Sequence, residues 1–289
     1  MTSPPPLRPE YVRDQVDEHD FGVVNKPLTA WERIYGNSLV RRAFILFVLA
    51  AAWQGYATHL DNSLVLPTFT ETFRSFVSRI ISGELLIKSW VSIKVLLMGY
   101  GIGLSLALVF TILAMASRLG NDLLETLTAM LNPLPAIALL PLALIWLGLG
   151  NPSIVFVLVH AVMWPIALNT HSGFLGVSGT MRMVGRNYGL SGVRYVSQIL
   201  IPAAFPHILA GLKIGWAFAW RTLIAAELVF GTTSGSGGLG WFIYENKNLL
   251  DIPAVFSGLF TVIIIGLLVE NLVFRIIERR TIRKWGMHS

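Results

Sequence analysis

The stretch MVGRNYGLSGVRYVSQILIPAAFPHILAGLK, Met183 to Lys213, interrupts a chain that is otherwise oily. Polar and small residues break in here, closed by Pro202 and Pro206, before an apolar run resumes near Ile208. Whether this is a slack connector or a working element decides how the rest of the sequence is read.

Of 289 residues, 54% are hydrophobic and only 13% charged, and the mean hydropathy is +0.64. Soluble domains carry about 25% charged residues, so this chain has half the usual means of facing water. It reads as an all-α integral membrane protein, with the lipid bilayer as a partner along much of its surface. The net charge of +6 and pI near 9.8 would point to nucleic acid in a soluble protein; the placement of the charges removes that partner here. The absence of cysteine excludes disulfides and thiolate metal sites. The first forty residues are polar and proline-bearing, with no cleavable signal pattern, and read as a cytoplasmic tail (1–40) before a transmembrane body (41–289).

Crossing a hydrocarbon core of about 30 Å takes roughly 20 apolar residues. Six segments qualify: 43–60, 90–116, 123–147, 154–174, 208–230 and 254–277. The third holds Pro133, Pro135 and Pro141 and should be kinked or broken. With the N-terminus inside, every connecting Lys or Arg falls on the inner side except Arg74, Arg79, Lys88 and Lys247. That bias places both termini in the cytoplasm. The opening stretch then belongs to a cytoplasmic connection, about 176–207, far longer than the other inner loop at 117–122. Met183, Tyr188, Val193, Val196 and Leu200 recur at helical spacing, so one or two short surface helices are expected, with the two prolines ending them.

Nothing in the sequence points to catalysis. The histidines (19, 59, 160, 171, 207 and 288) match no ligand spacing, no GxSxG occurs, and Glu227 and Glu270 stand alone in their spans. GSGGLG, Gly235 to Gly240, fits GxGxxG formally, but it follows a span rather than a strand and reads as a flexible outer turn. Catalytic and metal residues are therefore assigned as none.

Ionisable residues inside spans cost at least about 2.5 kcal/mol each and need a reason. Lys94 and Lys213 lie near span ends, where snorkelling to the interface explains them. Arg221, flanked by Trp216 and Trp220, needs an interhelical partner or an anion pathway, and Glu227 is too far around the helix to pair with it. Gly99-xxx-Gly103 and Gly211-xxx-Gly215 allow close helix approach. Trp146, Trp164 and Trp241 fall near span ends, as an aromatic belt would.

Three blocks carry a family likeness: NPLPAIALLPLALIWLGLGNPS (Asn132–Ser153), GRNYGLSGVRYVSQILIPAAFPHILAGLKIGWAFAWRTLIAAEL (Gly185–Leu228), and GGLGWFI leading to ERRTIRKWG (Glu278–Gly286). In this order they resemble the permease subunit of a bacterial ABC importer of the nitrate, sulfonate and taurine type. MVGRNYG stands where that family often has EAARSLG, and Lys94 where an arginine is frequent. The resemblance implies a type I ABC importer permease fold, six transmembrane helices with a cytoplasmic coupling helix between spans four and five, in the bacterial inner membrane. It implies a homodimer, two cytoplasmic ATPase subunits that hold ATP and Mg, and a periplasmic or lipid-anchored solute-binding protein. The chain itself would hold no cofactor. The coupling residues would be Arg182, Met183, Gly185, Arg186, Asn187, Tyr188 and Gly189. Lys94, Asn132, Pro133, Trp216, Trp220, Arg221 and Glu227 would line the path of a small anion. The alternative, a secondary transporter, would need inverted repeats or an ion-binding constellation.

Overall fold

The computed structural model describes residues 35–230 and 237–282. The chain divides into two compact units, Met1–Ala52 and Trp53–Ser289. Residues 1–34 hold most of the expected tail and 283–289 the end of the last block; both lie outside the described residues, with the inner charges they carry.

Among the described residues every regular element is helical. Helix α1 (Ser38–Leu60) passes from the first unit into the second, and α2 (Phe69–Ile81) and α3 (Glu84–Ala116) follow. Next come α4 (Arg118–Leu131), a 3-10 turn (Ala136–Leu139), α5 (Leu140–Leu147) and α6 (Asn151–Leu175). After α7 (Gly179–Asn187) and α8 (Gly192–Tyr195), a π turn (Val196–Leu200) leads into α9 (Ile201–Phe230). The chain closes with α10 (Leu239–Asn248), α11 (Ile252–Leu268), a second π turn (Val269–Phe274) and α12 (Arg275–Arg280). Among the described residues five helices are long and apolar enough to cross a membrane, or six if α4 and the segment 136–147, bent by 88°, count as one span.

That bend is the expected break at Pro133 and Pro135. The expected inner loop 117–122 is corrected. Only Ser117 separates α3 from α4, and its hydroxyl caps α4 by accepting the Gly120 N–H at 3.0 Å. Pro202 and Pro206 likewise do not end a surface helix, because helix runs unbroken from Gly192 to Phe230 through the π turn. Each proline removes one donor, and the widened turn, closed by the Ile201 N–H on the Val196 carbonyl, relieves the crowding upstream.

The core is α6, sandwiched between α3 and α9. Lipid gives no hydrophobic drive for helix pairing, so close backbone approach decides. A Cβ on Gly99 would sit 2.5 Å from Leu158 Cβ, and one on Gly103 2.8 Å from Val162 Cβ. On the other flank a Cβ on Gly211 would meet Asn169 Cβ at 2.8 Å and one on Gly215 would meet Ile166 at 3.0 Å. Both GxxxG pairs therefore seat α6. Trp164, expected at an interface, is buried mid-way along α6 at 3% exposure, while Trp146 is exposed.

The two short helices α2 and α10 were not legible as spans. Thr68 opens α2 in a capping box with Glu71, a TxxE pattern present in the sequence. Trp53 anchors α2 through ring contacts to Phe69 (5.8 Å) and reaches Phe256 and Phe260 of α11 at 5.4 and 5.6 Å. Arg79 ties the same end together: it pairs with Glu84 at 2.6 Å and Asp251 at 2.8 Å and lies over the Phe242 ring.

Candidate functional site: connector, cavity and buried carboxylate

The connector between α6 and α9 is an ordered projection. Ser178 caps α7 by accepting the Met181 N–H, and α7 stops in a Schellman motif. There Gly189 adopts φ +71°, its N–H meets the Arg186 carbonyl at 2.9 Å, and the Leu190 N–H reaches the Gly185 carbonyl at 3.0 Å. A side chain at 189 would be strained in this left-handed conformation. Gly185 is buried where α7 crosses the next segment; a Cβ there would lie 2.8 Å from the Tyr195 ring. Arg182 turns inward, its guanidinium donating to the carbonyls of Phe174 at 2.6 Å and Val177 at 3.1 Å, which closes the end of α6. Met183, Arg186, Asn187 and Tyr188 face outward, and Tyr188 is 80% exposed. Of the seven residues expected to couple, two build this projection from inside, Gly189 shapes its end and four present its surface.

A cavity of about 340 Å³ lies beside the broken third span. Asn132 and Pro133 line it from the break, and Phe218, Arg221 and Thr222 line it from α9. The other residues expected along the pathway lie elsewhere. Lys94 is exposed on α3, with its ammonium 5.9 Å from the Trp90 ring. Trp216 meets Tyr100 and Phe274 edge-on, and buried Trp220 donates its indole N–H to the Val262 carbonyl at 3.3 Å. Lys213, read as snorkelling, instead pairs with Glu278 at 2.9 Å. His160 and Trp164 also line the cavity and were missed, although their i, i+4 spacing puts both on one face of α6.

Glu227 is buried at 4% exposure. Ser92 of α3 donates to its carboxylate at 2.8 Å, and the Gly240 N–H donates to it at 2.8 Å. The Ser92 hydroxyl in turn accepts the Leu239 N–H at 2.8 Å. The first N–H groups of a helix have no partner within it, so a serine and a carboxylate satisfy them here. A Cβ at Gly238 or Gly240 would collide with Glu227. The described part of GSGGLG is thus held against Glu227 rather than forming a slack turn; Gly235 and Ser236 lie outside the described residues.

Residues 99–284 match the family described as binding-protein-dependent transport system inner membrane component. The chain is 29% identical to a putative ABC transporter permease of Methanocaldococcus jannaschii, over 83% of this chain and 90% of that one. It is 30% identical to the putative aliphatic sulfonates transport permease SsuC of Bacillus subtilis, covering 82% and 84% respectively. It is also 30% identical to the nitrate import permease NrtB of Synechocystis, covering 83% and 88%.

Proposed function

The chain belongs to the binding-protein-dependent transport system inner membrane component family, and from that premise we propose that it forms the path of a small anion through the membrane. It is a membrane permease of an ABC transport system and not that system's catalytic subunit. ATP and Mg would be held by separate ATPase subunits. The solute would arrive from a binding protein on the outer face, and residues 41–289 would form the permease body. Two copies would pair, with both termini in the cytoplasm. The described arginines of the connector (Arg182, Arg186 and Arg194) and of the last helix (Arg275, Arg279 and Arg280) support this orientation.

The observation that carries the reading is the α7 projection. It is fixed at its base by Arg182 and Gly185 and offers Met183, Arg186 and Tyr188 outward. A short helix so braced transmits force between an ATPase and the spans, which a slack loop does not. The sulfonate and nitrate relatives, together with Arg221 on the cavity wall, support an anionic solute. Deleting residues 183–189 should abolish stimulation of the ATPase while the spans stay inserted. Stimulation that survives the deletion would overturn the coupling role.

A further inference from the structure

We propose that the outward side of α2 is a binding site for an anionic phospholipid, with Arg74 taking the headgroup phosphate. Helix α2 carries two arginines in different circumstances. Arg79 is neutralised inside the fold by Glu84 and Asp251. Arg74 is exposed and forms no ion pair among the described residues. The carboxylate one turn back, Glu71, is already engaged by the Thr68 N–H at 2.8 Å and the Ser63 hydroxyl at 3.3 Å. Water solvates an exposed guanidinium well, so this charge alone points to no ligand.

The second observation is what Arg74 stands beside. An open groove runs along α2, lined by Phe73, Val77 and Ile81 in one row and by Arg74 and Ser78 in the next. Both rows step by four residues, so each is a continuous stripe, one apolar and one cationic with a hydroxyl. Phe73 is 52% exposed and Ile81 80%. The third observation is depth. Arg79 ties the end of α2 to the first residue of α3 and to the N-cap of α11, where two candidate spans begin. Phe69, at the start of α2, packs on Trp53, about two turns before the end of α1. Helix α2 therefore lies where the spans meet the headgroup layer. There an apolar row faces acyl chains, while a guanidinium and a hydroxyl meet phosphate oxygens.

Water on this face would leave the apolar row wet. A two-fold contact with a second copy would bring two like charges together on a groove that offers no carboxylate. A phospholipid satisfies both rows at once, and an anionic one adds attraction for the uncommitted charge. The site rests on the chain's place in a membrane and not on its solute or its coupling to an ATPase.

The test is native mass spectrometry of the full chain in detergent, supplied with phosphatidylglycerol and phosphatidylcholine of equal chain length at equal concentration. The wild-type chain should retain phosphatidylglycerol over phosphatidylcholine by about fivefold. Arg74→Gln should remove that preference without changing the melting temperature, and Arg74→Lys should restore part of it. Ile81→Ser should lower retention of both lipids severalfold and leave their ratio in place. Lys247→Gln, which removes an exposed cation from α10, should change neither. No preference in the wild-type chain, a preference that survives Arg74→Gln, or an equal loss in Lys247→Gln overturns the site. Displacement of phosphatidylglycerol by millimolar glycerol phosphate would make this a site for free anions and overturns the lipid. If the α2 substitutions shift the balance of monomer and dimer but not lipid retention, the face is a contact between copies, and the proposal falls.

Discussion

The Glu227 carboxylate accepts the backbone N–H of Gly240 at 2.8 Å, so one side chain of α9 fixes the start of α10. Ser92 bridges the same pair of elements from α3. Three separate stretches of chain thus meet at one buried carboxyl group. It is held by a helix N-terminus and a hydroxyl.

Removing this anchor should release α10 before it unfolds the spans. Glu227→Ala leaves the Gly240 N–H and the Ser92 hydroxyl proton without their acceptor and should cost about 2–4 kcal/mol. Hydrogen exchange across 239–248 should quicken by more than across α6. Gly240→Ala should do the same by steric means, since its Cβ would lie 2.5 Å from Glu227 Cβ and 2.7 Å from the Ile224 carbonyl oxygen. Uniform loosening of all helices, or none, would contradict this role.

The packing of α6 makes a paired prediction on one helix. Gly99→Ala forces α3 away from Leu158 and should lower thermal stability in detergent by about 1–3 kcal/mol. Gly101, two residues on, has nothing within 4 Å of its Cβ position. Gly101→Ala should therefore be neutral or stabilise by up to about 1 kcal/mol through helix propensity. The sign difference between neighbours in a thermal-shift assay checks the α3–α6 contact.

The capping box of α2 predicts a pH dependence. The Thr68 backbone N–H, and then the Thr68 side chain, hold the Glu71 carboxyl below its ordinary value. A lowered folded value means the stabilisation is present at neutral pH and is lost as pH falls through the carboxylate range. Amides in the first turn of α2 should exchange faster at pH 4 than the intrinsic rate change explains. Glu71→Gln should flatten that response, and a wild-type profile that follows intrinsic rates alone would refute it.

How much of this was legible depended on the range of the interaction. The apolar runs, the GxxxG pairs and the proline-marked break are local patterns, and the helices formed where they predicted. Pro202 and Pro206 misled because a proline removes only one donor, which a π turn can absorb. Ser92 and Glu227 lie 135 positions apart, so no local pattern could join them, and Glu227 read as a lone charge on the anion path. Lys213 and Glu278 were separated for the same reason. His160 looked like a lone histidine until the fold set it on the wall that carries Arg221.

The α7 projection offers the last prediction, a separation of stability from coupling. Arg182 donates to the carbonyls of Phe174, in the last turn of α6, and Val177, just past it. Arg182→Ala should therefore loosen the base of α7 and lower stability by about 1–3 kcal/mol. Tyr188 is 80% exposed. Tyr188→Ala should leave the melting temperature unchanged, because surface substitutions stay within about 0.5 kcal/mol. Its effect should appear only when the ATPase is present, as a loss of about tenfold or more in association, the size of an exposed aromatic anchor at an interface. Arg186→Glu should reduce association and its salt dependence together, since a peripheral arginine acts through charge. If Tyr188→Ala binds the ATPase as the wild type does while Arg182→Ala does not, then α7 matters only as a brace and the docking surface lies elsewhere on the connector.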